Sequence, residues 1–75
     1  MDNQLITNLE NGTDQQRRST SYRMGKTKEP LYVPYLIKAY NDSDPLVRRN
    51  VIDSLRNLGT SEALAFLDAS EKAFH

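Results

Sequence analysis

Acidic, basic and hydroxyl side chains set close together are where chemistry would have to come from in this sequence, and few combinations qualify. Asp44 and Arg48 form an acid–base pair at i and i+4 beside a helix start, and Arg17 occupies an equivalent place upstream. To act on a substrate such a pair needs a third group and a pocket, and the sequence supplies neither. The pattern reads instead as a strut between helices. Ser19, Thr20 and Ser21 offer three hydroxyls, but a hydroxyl nucleophile needs a neighbouring base, and the one histidine, His75, lies far along the chain. One His and no Cys make no metal-ligand set. Gly12, Gly25 and Gly59 are too widely spaced for a phosphate-binding loop, and each suits a helix end. The sequence therefore points away from an enzyme and implies no cofactor.

Two further clusters suit recognition rather than catalysis. Residues 14–28, DQQRRSTSYRMGKTK, carry Arg17, Arg18, Arg23, Lys26 and Lys28 with no acid after Asp14. Such an arm can neutralise phosphates, and its affinity would then fall steeply with salt. Weighing against nucleic acid, ten Lys and Arg balance ten Asp and Glu over the whole chain. Tyr22, Tyr32, Tyr35 and Tyr40 fall within nineteen positions, and the rigid, amphipathic tyrosine ring is favoured at binding surfaces. Tyr40 falls on an apolar helix face, whereas Tyr22, Tyr32 and Tyr35 lie off it and are candidate contacts.

The elements that hold these residues are helices. From the 75 residues, 37% of them hydrophobic, we expect one small core. The longest apolar stretch, LYVPYLI, is too short to span a bilayer, and MDNQLITNLENG lacks a basic segment followed by an apolar one. We expect a soluble, cytoplasmic protein without membrane insertion. In NDSDPLVRRNVIDSLRNLG, Asp44 takes the N-cap position, Pro45 suits the first turn, Val47, Val51, Leu55 and Leu58 share one face, and Gly59 terminates. Val33, Leu36, Ile37 and Tyr40 form the apolar face of the helix before it, with Pro30 and Pro34 near its start. Thr60 or Ser61 caps a further helix bearing Leu64, Phe66, Leu67 and Phe74, and Asp2 is placed to cap one bearing Leu5, Ile6 and Leu9. No segment alternates as a strand does, so the fold class is all-α.

Sliding the chain along itself by 31 residues superposes Leu5 on Leu36, Ile6 on Ile37, Arg17 on Arg48, Arg18 on Arg49 and Met24 on Leu55. A second shift of the same size lays Leu64 under Val33 and Leu67 under Leu36. The predicted architecture is a short α-solenoid of antiparallel helix pairs, about five helices in all: repeat one over 2–28, repeat two over 30–59 and a closing helix over 60–74. In this register 14–28 is the second helix of repeat one. Its core face holds Gln16, Thr20, Ser21, Met24 and Thr27 where the next repeat has Val47, Val51, Ile52, Leu55 and Leu58, which predicts the least stable helix.

The stretch VPYLIKAYNDSDPLVRRNVIDSLRNLG resembles a HEAT repeat of the short phycobilisome-lyase-like kind. Val33, Pro34, Leu36, Ile37, Asp42, Asp44, Val47, Arg48 and Leu55 carry the resemblance; Tyr40, Val51, Ile52 and Arg56 depart from the pattern. The resemblance implies a non-catalytic protein-interaction module whose partner is another protein, with an accessory role in a cyanobacterial light-harvesting assembly. The alternatives are nucleic-acid binding through 14–28 and bilin handling. It also implies an inter-repeat ladder of Arg17, Asp44 and Arg48. The concave stripe facing a partner would be Arg18, Ser19, Tyr22 and Lys26 with Arg49, Asn50, Asp53 and Asn57, and Tyr32, Tyr35, Phe66 and Phe74 are further candidate contacts. With so few repeats, Leu5, Ile6 and Leu9 at one end, or Leu64, Phe66, Leu67 and Phe74 at the other, would form apolar end faces open to docking or self-association.

Overall fold

Capping chemistry sets the helix boundaries. In the computed structural model, which describes residues 3–72, five α-helices are present: α1 (Gln4–Asn11), α2 (Asp14–Lys26), α3 (Val33–Ala39), α4 (Pro45–Leu58) and α5 (Ser61–Lys72). The cap of α1 is Asn3, whose side chain accepts from the Leu5 and Ile6 amides; Asp2, the expected cap, lies outside the described residues. Thr13 and Gln16 form a reciprocal capping box at the start of α2. Asp44 caps α4 by accepting from the Leu46 amide, and Thr60 Oγ1 accepts from the Ala63 amide at the start of α5. Gly59 closes α4 in the left-handed conformation, φ 63°, where any side chain would be strained.

The helices stack in two layers. α1, α3 and α5 form one, α2 and α4 the other, and α2 lies along α4 in the most extensive contact of the molecule, which measures 36 × 24 × 15 Å. Between the layers Leu9, Met24, Val33, Leu36, Val47, Val51 and Leu55 are buried, with Tyr32 and Ala63 completing the core. Tyr40 and Phe66 meet edge to face at 5.0 Å and join α3 to α5.

The polar face of α2 packs by closeness instead of bulk. Thr20, Ser21, Met24 and Gly25 are buried, whereas Gln16 and Thr27, both expected in the core, are exposed and serve the helix ends. Gly25 is not the terminator its position suggested: it lies inside the last turn against α4, where an added Cβ would fall 2.6 Å from Ser54 Cα. The chain leaves α2 through Lys28, whose φ of 58° supplies the left-handed residue expected of a glycine. Ser54 Oγ donates to the Ser21 carbonyl, and Asn50 Nδ2 donates to the Arg18 carbonyl at 3.0 Å. Small and hydrogen-bonding groups thus replace the aliphatics missing from α2.

Two other expectations change. Tyr32 is not a surface contact: a 3-10 turn, Pro30–Tyr32, rotates its ring into the core, and its hydroxyl accepts from Asn3 Nδ2 at 2.9 Å. The end faces expose their apolar residues only in part. Leu9 is interior, Leu5, Ile6, Phe66 and Leu67 pack partly against the core, and among the described residues of these faces only Leu64 is largely exposed. Phe74 and His75 lie outside the described residues.

Candidate interaction surface

The charged centre of the molecule is the turn between α3 and α4. Asp42 and Asp44 point back at α2, where Arg17 and Arg18 are consecutive residues entering different contacts. Arg17 forks onto Asp42, with Nε 2.8 Å from Oδ2 and Nη2 3.1 Å from Oδ1. Its remaining edges reach the Gly12 carbonyl at 2.9 Å and Asp14 Oδ1 at 2.7 Å. Arg18 Nε donates to Asp44 Oδ2 at 2.8 Å, while the other Asp44 oxygen caps α4. Asp42 Oδ1 also accepts from the Asp44 amide at 2.9 Å, so each carboxylate serves both a turn and a guanidinium.

The titration behaviour follows. Hydrogen bonds from Arg17 hold the Asp42 carboxyl below its ordinary range, against an opposing contribution from burial. For Asp44 burial is the largest influence and would raise it, yet the Leu46 amide and Arg18 together outweigh burial and lower it. Asp42 and then Asp14 raise Arg17, which stays charged.

The ladder therefore differs from its expected form. Asp44 and Arg48 do not pair along α4; Asp44 turns toward Arg18, and Arg48 Nη1 donates to the Asp42 carbonyl at 2.8 Å. Arg18, assigned to the concave stripe, is drawn into the joint by Asp44, and Asn50 is drawn there by the Arg18 carbonyl. Asp42 was missed as a functional residue, although the repeated Arg-Arg and the Asp-x-Asp before Pro45 both stood in the sequence. With Arg17 and Arg18 already neutralised by carboxylates, the basic arm keeps only Arg23, Lys26 and Lys28 for an anionic partner. Of these, Lys26 sits 5.1 Å from the Tyr22 ring centroid and Lys28 Nζ donates to the Asn57 carbonyl at 2.9 Å.

What faces solvent on this layer is Ser19, Tyr22 and Lys26 on α2, and Arg49, Asp53 and Asn57 on α4. Tyr22, 53% exposed, and Asp53 occupy equivalent positions of the 31-residue register. On the other layer Tyr35 is half-buried and lines a shallow groove with Leu9, Glu10, Lys38, Ala39 and Asp42. Phe66 is half-buried under Tyr40. Among the described residues no helix is long and apolar enough to cross a membrane.

Stacked helix pairs joined by an Arg–Asp ladder, with an exposed mixed surface on the second-helix layer, define a short α-solenoid of the kind that presents a binding face. A family model of HEAT repeats matches residues 3–72, and the chain belongs to the HEAT-repeat family. HEAT repeats generally mediate protein–protein interaction. Among curated proteins and among solved structures no significant match was found.

Proposed function

We propose that this chain is a non-catalytic protein-interaction module whose contact surface runs across α2 and α4. The observation that carries this reading is the exposed set Tyr22, Lys26, Asp53 and Asn57. These residues lie on the outer side of the helix layer whose inner side is consumed by packing, and they combine one large aromatic with both signs of charge. The functional units would be repeat one (2–28), repeat two (30–59) and the closing helix (60–74). Resemblance of residues 33–59 to the short phycobilisome-lyase-like repeats supports a narrower reading, an accessory factor in the cytoplasm for a light-harvesting assembly. That narrower reading rests on the motif residues alone.

Cross-linking followed by copurification from the native organism tests the proposal. A defined protein partner should be recovered, and the double substitution Tyr22→Ala with Asp53→Lys should lower its capture about tenfold, as expected for an aromatic anchor and its rim charge. No recovered partner, or capture indifferent to both substitutions, overturns the reading.

A further inference from the structure

The chain contains two arginine pairs in equivalent places, and among the described residues only one of them meets carboxylates. The 31-residue register lays Arg17 and Arg18 of α2 on Arg48 and Arg49 of α4. Arg17 holds a carbonyl of its own preceding turn through Nη1, leaving Nε and Nη2 to clamp Asp42. Arg48 repeats the first half of this arrangement, with Nη1 on the Asp42 carbonyl at 2.8 Å. Its Nε and Nη2 meet no acceptor among the described residues, and Arg49, the counterpart of Arg18, is exposed with no ion pair among them. One shift of the register beyond Asp42 and Asp44 fall Ala73 and His75, neither of them an acid.

The apolar surroundings are open as well. Tyr40, Ile52 and Leu67 are each only partly buried, and they line adjoining grooves on the side of α4 away from α2, with Arg48 at one end and Arg56 at the other, where Glu71 of α5 shares the lining but makes no ion pair with Arg56. Arg56 takes the register place of Gly25, and Ile52 that of Ser21. A helix seated here cannot approach as closely as α4 approaches α2, and an acid on it opposite Arg56 would be matched.

We propose that this face of α4 docks a partner protein through an acid-x-acid turn that opens a helix, the two carboxylates received by Arg48 and Arg49 and an acidic residue further along that helix received by Arg56. This deepens the interaction reading above and rests on it for the role of the contact. The structure supplies its own template, since the Asp42–Asp44 turn and α4 sit on α2 in this manner.

A synthetic peptide of residues 41–59 carrying Ser54→Glu is a direct probe, because glutamate at that place fits opposite Arg56 and would clash with Gly25, which keeps the peptide off α2. Titrated into the 15N-labelled full chain, it should shift the side-chain Nε–H resonances of Arg48 and Arg49 and the backbone amide of Ile52. Replacing Asp42 and Asp44 of the peptide by asparagine, with its Asp53 kept, should weaken binding about tenfold. Arg49→Gln, at a side chain the fold does not use, should weaken it severalfold; Arg48→Glu with Arg49→Glu should restore binding to a peptide bearing lysines at positions 42 and 44. Equal binding of the Asp and Asn peptides, or shifts centred on Arg17 and Arg18, overturns the proposal. If peptide binding fails while partner capture still depends on Tyr22 and Asp53, this docking face falls and the interaction reading stands.

Discussion

Gly25 allows α2 and α4 to approach until a methyl group no longer fits between them, with Ser54 Cα 2.6 Å from where a Cβ would stand. The neighbour is backbone, so the strain of Gly25→Ala cannot be relieved by a rotamer change and the helices must separate. Overpacking of this kind costs about 1–3 kcal/mol, and the better helix propensity of alanine returns at most about 1. The variant should unfold at lower urea concentration, with Tm down by roughly 5–15 °C. An unchanged midpoint would show that the joint is looser than its geometry. Ser54→Ala removes the hydroxyl that donates to the Ser21 carbonyl and should cost about 1 kcal/mol by the same measurement. Neither residue announced itself in the sequence: a glycine near a helix end reads as a terminator, and a serine on a helix face reads as exposed. Only the pairing of two helices makes small size a packing property.

At the scale of elements, α4 could be read from its sequence nearly complete. Asp44, Pro45, the Val47, Val51 and Leu55 stripe and Gly59 are local signals, and each holds its expected place. Tyr32 could not be read this way, because a 3-10 turn of three residues carries no periodicity to show which way its ring points. The candidate site was half legible: Arg17, Arg18, Asp42 and Asp44 were visible as motifs, but which guanidinium meets which carboxylate depends on how α2 and α4 cross. That crossing also changes what the polar composition of α2 means. Bound along α4 by Met24, by the Ser21–Ser54 hydrogen bond and by two ion pairs, α2 should be among the most protected elements rather than the least. By contrast α1 fully buries only Leu9 and α5 only Ala63. Native-state hydrogen exchange should find α2 and α4 slowest, with α1 and α5 opening at lower free energy. Faster exchange in α2 than in α1 would restore the simpler reading that missing aliphatics mean a weak helix.

At the scale of the whole molecule, the two Arg–Asp pairs fasten α2 to the turn that launches α4, so the electrostatics of that joint should govern stability in acid. Both Asp42 and Asp44 are held below their ordinary value of 3.8. A carboxyl with a lowered folded pKa binds its proton less readily folded than unfolded. Its contribution is therefore fully present well above the ordinary value and is lost as pH falls through the lowered one. Arg17 is raised instead, stays protonated throughout, and adds no pH dependence in this range. The urea midpoint, followed by helical circular dichroism, should hold steady from pH 7 to about pH 5 and then fall progressively toward pH 2. Arg17→Gln combined with Arg18→Gln removes the guanidiniums that help hold both carboxyls down, leaving only backbone amides to do so. That variant should start from a lower midpoint at pH 7 and lose less of it on acidification, so that the two curves converge in acid. Parallel curves would place the acid sensitivity elsewhere in the chain and remove the ladder from its role in joining the two helix pairs.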